Sequence, residues 1–421
     1  MKCKICIVMC LICLLVIVGG IETSEGNVIF ATCRNVRQLI EEKTQPDSLC
    51  GKGIQQTIAE RKSVPGTNLD LWKKEQEKKY QEERVSRYID ECISSMSLEE
   101  KLAQMMILTN RNDITRTNLE TCQPGGILFF AVDFEGKTVK KVKKRVEKLQ
   151  SYVKIPLLIG VDEEGGEVSR VAGLKADDVP LYSSARQLYR EENTDAVRQE
   201  TISKINLLKS MGVNLNFNPV ADIVNNEDAY MYERSAGDDA ETVSGYVETV
   251  VAVMKEYNMG SCLKHFPGYG NNANTHLTYA IDKRKLSVYQ TQDFLPFEAG
   301  IKQGADMVMV SHIVMKKVDK KNPASLSKKV HSILRGDLNF QGVVIADDLK
   351  MKAILNQMTI EEATEQALAA GNDMIFSADF AASMKGAKSA VENKKLSEQR
   401  INESVARILT MKINRQIIVV E

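Results

Sequence analysis

The sequence predicts an α/β fold, a (β/α)8 barrel of the TIM type, and three observations carry that prediction. Short runs that are apolar at nearly every position recur from residue 105 onward. Amphipathic segments of helical period lie between them. Polar and charged residues gather directly behind the runs, where the carboxyl ends of strands would be. Strands that are apolar on both faces suit a parallel sheet covered on both sides.

In chain order the runs are Met105–Leu108, Gly126–Phe130, Pro156–Val161, Leu215–Val220, Cys262–Phe266, Met307–Ile313, Val343–Ala346 and Met374–Phe376. Segments such as Asp195–Met211, Ala240–Tyr257, Gln290–Gln303 and Ile360–Ala370 supply the helical crossovers. Ser97-Leu98-Glu99-Glu100, ahead of Leu102 and Met105, fits a helix start with a capping box. The basic run from Lys137 to Lys148 carries Val139, Val142 and Val146 at helical spacing. It therefore reads as the solvated face of an amphipathic helix, not as a nucleic-acid site. Eight strand–helix units over roughly 320 residues fit the barrel. A doubly wound open sheet is the alternative, but no G-x-G-x-x-G opens any helix.

Basic and acidic residues both number 56 in a chain of 421, so net charge gives no reason to expect nucleic acid or a general anionic surface as partner. The N-terminus departs from this balance. Lys2 and Lys4 precede an apolar run from Ile5 to Gly20, followed by Glu22, Thr23, Ser24 and Glu25. That order describes an export signal, and the length of the run leaves membrane attachment through residues 5–20 open. The expected organisation is a signal peptide or anchor over 1–25, a polar spacer over 26–88 and the barrel over 89–421. Of nine cysteines, those outside the leader are scattered, odd in number and without metal-ligand spacing; a Cys33–Cys50 bridge is conceivable.

The chemistry concentrates at Cys262-Leu263-Lys264-His265-Phe266-Pro267-Gly268-Tyr269-Gly270 and His276. This strand–loop unit holds two of only four histidines, and loops hung on strand ends are where catalytic groups usually sit. Asp162, Lys264 with His265, Ser311 with His312, and Asp347 with Asp348 each close a run, which places charge on the face where barrel active sites are built. His312 reads as a supporting residue and His331 as a surface residue. No H-x-H or H-x-x-x-H pair offers a metal site. Gly165-Gly166 is a weak phosphate signal. Asp162, Arg170, Arg234, Lys264 and His265 can fork onto adjacent sugar hydroxyls. Cleaving a glycosidic bond also needs an anion under the anomeric carbon and a proton donor at the leaving oxygen, and Asp347 and His276 can fill those roles.

Residues 90 to 415 resemble the β-N-acetylglucosaminidases of glycoside hydrolase family 3. The resemblance rests on Ser97 to Leu102, Pro124-Gly125-Gly126-Ile127-Leu128, Ile159-Gly160-Val161-Asp162-Glu163-Glu164-Gly165-Gly166 with Arg170, and Leu215-Asn216-Phe217-Asn218-Pro219-Val220. It continues through Glu233-Arg234-Ser235, the Lys-His-Phe-Pro-Gly segment, Leu334 to Gly342, and Ile345 to Met351. It implies a retaining enzyme that releases terminal N-acetylglucosamine from peptidoglycan fragments or related glycans, with no metal or organic cofactor. Asp347 would be the nucleophile, His276 the general acid/base, and Asp348 a supporting residue. Asp162, Arg170, Arg234, Lys264 and His265 would line the sugar subsite. With the leader, this implies an exported enzyme, extracellular or held at a bacterial cell surface.

The chain departs from the family pattern at the loop. Asn274 stands where an aspartate normally forms a dyad with the histidine, Tyr269 replaces a histidine between two glycines, and Glu167 replaces an arginine after Gly-Gly. A neutral amide adds no charge to stabilise an imidazolium, and its amino group can favour the wrong tautomer. The expectation is an active but weakened glycosidase. A lapsed sugar-binding protein and a phosphorylase or transglycosylase on the same fold are the alternatives.

Overall fold

The computed structural model describes residues 69–420, apart from 110, 176–178, 190–193 and 279. The leader over 1–25, the first part of the spacer and the Cys33–Cys50 pair lie outside the described residues. The charged run from Glu75 to Arg84 lies within a helix, Leu69–Ser95. Residues 83–421 form one compact unit.

Among the described residues ten strands follow in chain order: β1 Met106–Leu108, β2 Gly126–Phe129, β3 Leu158–Val161, β4 Leu215–Asn216, β5 Gly260–Phe266, β6 Ile281–Asp282, β7 Met307–Val310, β8 Val314–Met315, β9 Val343–Ala346 and β10 Ile375–Ser377. Eight of them make one parallel sheet in the order β10-β1-β2-β3-β4-β5-β7-β9. A parallel bridge between Ile345 and Met374 brings the two ends of that order together and closes the barrel. Each of the eight apolar runs overlaps one barrel strand, β5 starting two residues earlier and β10 ending one residue later than their runs, and Val343–Ala346 coincides with its run residue for residue. Every barrel-strand residue is buried, Lys264 and His265 included. Helices on the outside and side chains on the inside account for the continuous apolar runs.

The remaining pair, β6 and β8, forms a separate parallel ribbon of two residues each. Strands that short carry no period for a sequence to display. The crossover expected over Gln290–Gln303 is two helices, Leu286–Thr291 and Phe294–Gln303. Asp293 at the break is buried and accepts from both Arg284 guanidinium ends, at 2.8 and 3.0 Å, which turns the chain there. The capping box at Ser97 is formed: its hydroxyl accepts from the Glu100 N–H at 3.2 Å, and the Glu100 carboxylate accepts from the Ser97 N–H at 2.8 Å.

Inside the barrel, Phe217 and Phe376 meet edge to face at 5.1 Å. Gly160 on β3 makes this possible, because a Cβ there would lie 2.6 Å from the Phe217 ring. Gly160→Ala is therefore expected to destabilise the fold by about 2 kcal/mol, the usual scale for overpacking a filled core. A urea melt of the variant checks it.

Candidate active site

Strand ends deliver the charged residues to one face. Asp162 follows β3 directly, and Glu164 comes two residues later, ahead of a turn in which Gly165 takes φ +100°. Lys264 projects from β5, 1% exposed, and reaches both carboxylates, at 2.8 Å to Asp162 and 2.6 Å to Glu164. Arg234, on the long segment after β4, closes a two-pronged pair on Glu164, with Nε at 2.8 Å from Oε2 and Nη2 at 2.7 Å from Oε1. Arg170 lies 3.7 Å from the other Asp162 oxygen. Its backbone is held by Glu163, which accepts from the N–H groups of Arg170 and Val171 at 2.7 and 3.1 Å. Burial alone would hold Glu164 neutral, but Arg234 and Lys264 overcome it and keep the carboxyl far below the usual range. Burial likewise works against the Lys264 charge, and Asp162 and Glu164 raise its pKa in spite of it.

His265 is set by Asp222, a fully buried carboxylate. A carboxylate only accepts, so His265 Nδ1 carries the proton it donates to Asp222 at 2.8 Å. The same carboxylate accepts from the backbone N–H groups of His265 and Tyr269, the latter at 2.6 Å.

Asp347 is the first residue after β9, and its N–H donates to the Val310 carbonyl at 3.0 Å. Burial works against its charge, yet His312, His265 and His276 all act on it and the net effect is a lowered pKa. Three of the four histidines thus act electrostatically on one carboxylate. Asp348 goes the other way: burial raises its pKa, and its Oδ1 is engaged by the Lys350 N–H at 2.9 Å. His312 supports the pair from beneath. Its Nε2 donates to the Asp348 carbonyl at 3.0 Å, and its Nδ1 lies 2.7 Å from the Ser325 hydroxyl.

His276 stands on an exposed stretch of the loop beyond Gly270, and its partner is Asn274. The His276 backbone N–H lies 2.9 Å from Asn274 Oδ1, and a backbone N–H can only donate. That contact fixes which end of the amide is oxygen. The same oxygen lies 2.9 Å from His276 Nδ1, so Nδ1 carries a proton. The ring is therefore held in the tautomer that leaves Nε2 free to take up and release a proton. The amide does not impose the wrong tautomer; what it lacks is charge. Neighbouring groups that partly desolvate the ring lower the His276 pKa even though the residue reaches solvent, and Asp347 offsets part of that.

Residues 97–411 match the model of the glycosyl hydrolase family 3 N-terminal domain. This chain belongs to glycosyl hydrolase family 3. It is 33% identical to a beta-hexosaminidase of Xanthomonas campestris pv. campestris over 254 residues, 59% of this chain and 76% of that protein. It is 30% identical to a beta-hexosaminidase of Nitrosomonas eutropha over 311 residues, 70% of this chain and 88% of that one. Among solved structures, a family 3 beta-N-acetylglucosaminidase from Paenibacillus sp. superposes with a TM-score of 0.72 at 29% identity, covering 77% of this chain. The chain spans 63% of that Paenibacillus protein's length. By family, then, this chain is a glycoside hydrolase.

In this hydrolase the structure joins Asp162, Arg170, Arg234 and Lys264 in one ion network, sets His265 beside them, and brings Asp347 within the fields of His265, His276 and His312. Asn274 holds His276, and Asp348 is tied into the turn after β9. His331, expected at the surface, is instead 4% exposed, with Nδ1 donating to the Ser327 carbonyl at 2.9 Å and the Gly371 backbone against its ring. Sequence reasoning missed Glu164, Asp222 and Tyr230. Glu164 lies two residues beyond Asp162, and Asp222 two residues beyond the apolar run that ends at Val220, so the rule that found Asp162 could have found them. Tyr230 gave no signal. It packs edge-on to the His276 ring at 6.0 Å, under Arg234 at 5.5 Å.

Proposed function

We propose that this protein is a retaining exo-β-N-acetylglucosaminidase that releases terminal N-acetylglucosamine from peptidoglycan fragments or related glycans. One observation carries the reading: a strand-end carboxylate whose pKa nearby histidines lower, together with a loop histidine held in a single tautomer. The beta-hexosaminidase relatives and the Paenibacillus beta-N-acetylglucosaminidase support the choice of sugar.

In the first step Asp347 attacks the anomeric carbon while the His276 imidazolium gives its Nε2 proton to the departing glycosidic oxygen. The bond from carbon to leaving oxygen breaks as the bond to the Asp347 carboxylate forms. In the second step neutral His276 takes a proton from water at Nε2, the water oxygen attacks the same carbon, and Asp347 leaves. Two displacements at one carbon return the original configuration. Asp162, Lys264, Arg234 and His265 orient the sugar hydroxyls, with Arg170 beside Asp162 and Glu164 holding the cations in place. The leader over residues 5–20 accounts for export or for retention at a membrane.

Steady-state hydrolysis of an aryl β-N-acetylglucosaminide tests this, with the released sugar followed by NMR. First-formed β-anomer is the expected product. The α-anomer first, or no turnover together with measurable N-acetylglucosamine binding, would count against it.

The pH dependence follows from the His276 environment. The acid role needs the imidazolium, which is lost as pH rises through a pKa lowered from the ordinary histidine value. The alkaline limb of kcat/KM is therefore expected to fall below the usual histidine range near 6.5. In Asn274→Asp a carboxylate facing Nδ1–H favours the charged ring, so the limb is expected to move to higher pH. A limb that stays in place would show that Asn274 does not govern His276.

A further inference from the structure

Asn274 supplies no charge to His276, so the order of the acid/base loop must come from elsewhere, and the contacts of Tyr269 show where. Tyr269 is 2% exposed. Its backbone N–H is fixed on Asp222, the carboxylate that also sets His265. Its ring stands between His265 at 5.6 Å and Tyr230 at 6.2 Å, and Tyr230 in turn meets His276 at 6.0 Å. The rings therefore run without a gap from the sugar-side histidine to the loop histidine.

The hydroxyl is the decisive group. Tyr269 Oη accepts from the Thr275 N–H at 2.7 Å. It also lies 2.8 Å from Thr275 Oγ1 and 3.3 Å from the Ala273 carbonyl, either of which can take its proton. Burial pushes the phenol up to about 12, so it keeps that proton throughout the working range of the site. Ala273 and Thr275 are the two neighbours of Asn274 in the chain. One hydroxyl thus grips the backbone on both sides of the residue whose amide oxygen sets the His276 tautomer. On the far side the Thr275 carbonyl accepts from the Ala353 N–H at 3.3 Å, in the segment that follows Asp347 and Asp348. A tyrosine kept only to fill the core would not need an oxygen here, because a phenylalanine ring fills the same space.

We propose that Tyr269 is a positioning residue for the acid/base: its hydroxyl holds residues 273–275 so that Asn274 presents its oxygen to His276. It does by neutral hydrogen bonds part of what a carboxylate partner does by charge. The assignment rests on His276 being the acid/base, and its test separates the two ideas.

The chain has only four histidines, so nitrogen-15 labelling of histidine in the full-length protein gives a resolvable spectrum. Wild-type His276 is expected to show a single Nδ1–H tautomer. In Tyr269→Phe the His276 signals are expected to average between tautomers, while those of His265, His312 and His331 stay in place and report an intact fold. Thr275→Val, which removes the partner hydroxyl and leaves the tyrosine, is expected to shift the same signals in the same direction. A wild-type His276 spectrum in both variants overturns the proposal, whatever the activity.

Kinetics supply the second readout. For a disaccharide, whose leaving oxygen needs a proton, Tyr269→Phe is expected to lower kcat/KM about tenfold, a fraction of the full general-acid effect. For a dinitrophenyl β-N-acetylglucosaminide, whose leaving group departs unprotonated, kcat/KM is expected to hold within about twofold. Equal losses on both would reduce Tyr269 to a structural role and overturn the proposal. Wild-type protein that cleaves neither substrate, but whose His276 tautomer depends on Tyr269, would sink the glycosidase reading and leave the brace standing.

Discussion

Asp347→Asn is expected to lower kcat on an aryl β-N-acetylglucosaminide by on the order of 10⁴-fold or more, the scale at which removal of a nucleophile is felt. The size follows from its position. Of the two acids at the end of β9, Asp347 is the one whose pKa is lowered, histidines and a backbone N–H outweighing its burial, whereas Asp348 is drawn into the turn by the Lys350 N–H and its pKa is raised by burial. Asn replaces the carboxylate with a group of the same shape, so the Asp347 N–H contact to Val310 is kept and the barrel is expected to stay folded. Asp348→Asn is expected to cost far less turnover. The two variants assayed side by side, with far-UV circular dichroism as the folding control, check both statements. A larger loss in Asp348→Asn would reverse the two roles.

The second large effect is on stability. Glu164 is buried and stands between two cations, Lys264 and Arg234, at 2.6 and 2.7 Å. Glu164→Gln leaves both cations in place, Lys264 still paired with Asp162 and Arg234 without its carboxylate contact. Breaking a buried pair this way is expected to destabilise the fold by roughly 3 kcal/mol. The pH dependence has a definite sign. The folded-state pKa of Glu164 is depressed below its unfolded value, so its stabilisation is present in full above the ordinary glutamate range near 4.3 and is lost as pH falls below it. The wild-type protein should therefore lose stability toward acid more steeply than Glu164→Gln, and the two should converge at low pH. Urea midpoints between neutral pH and pH 3 measure this; parallel curves would mean that Glu164 is not held ionised by its neighbours.

The barrel was legible because its strands are buried on both sides. Val343–Ala346, Gly126–Phe129 and Leu158–Val161 are apolar or glycine at every position, as a parallel sheet covered on both faces requires, and their number in one chain fits the barrel. The ribbon of β6 and β8 was not, since two residues cannot show a period. Asp162, Lys264, His265 and Asp347 were found because they interrupt or end apolar runs. Glu164 and Asp222 sit just past the positions where such interruptions attract notice. Their roles depend on Lys264, Arg234 and His265, which lie far away in sequence and arrive only when the barrel closes. Tyr230 and Tyr269 are harder still. Tyr230 in its loop reads as ordinary packing and Tyr269 only as a replaced histidine, and the ring contacts and hydroxyl distances alone show that they connect His265 to His276.

The Asn274 position shows what a residue change conveys and what it hides. In the sequence it reads as a lost carboxylate, with the tautomer left open. The His276 backbone N–H settles the tautomer by fixing the amide oxygen, so what remains of the substitution is a missing charge. That separates two effects that the residue name alone runs together.

The account stands or falls on the covalent step at Asp347. Incubation of the protein with a ring-fluorinated N-acetylglucosaminyl fluoride slows both displacements and lets the intermediate accumulate. Proteolysis and mass spectrometry then locate the sugar. The expected result is one fluorosugar per chain, carried on Asp347 and lost on addition of an acceptor. A label on Asp348, or an unlabelled enzyme that turns over with inversion, would contradict the central claim.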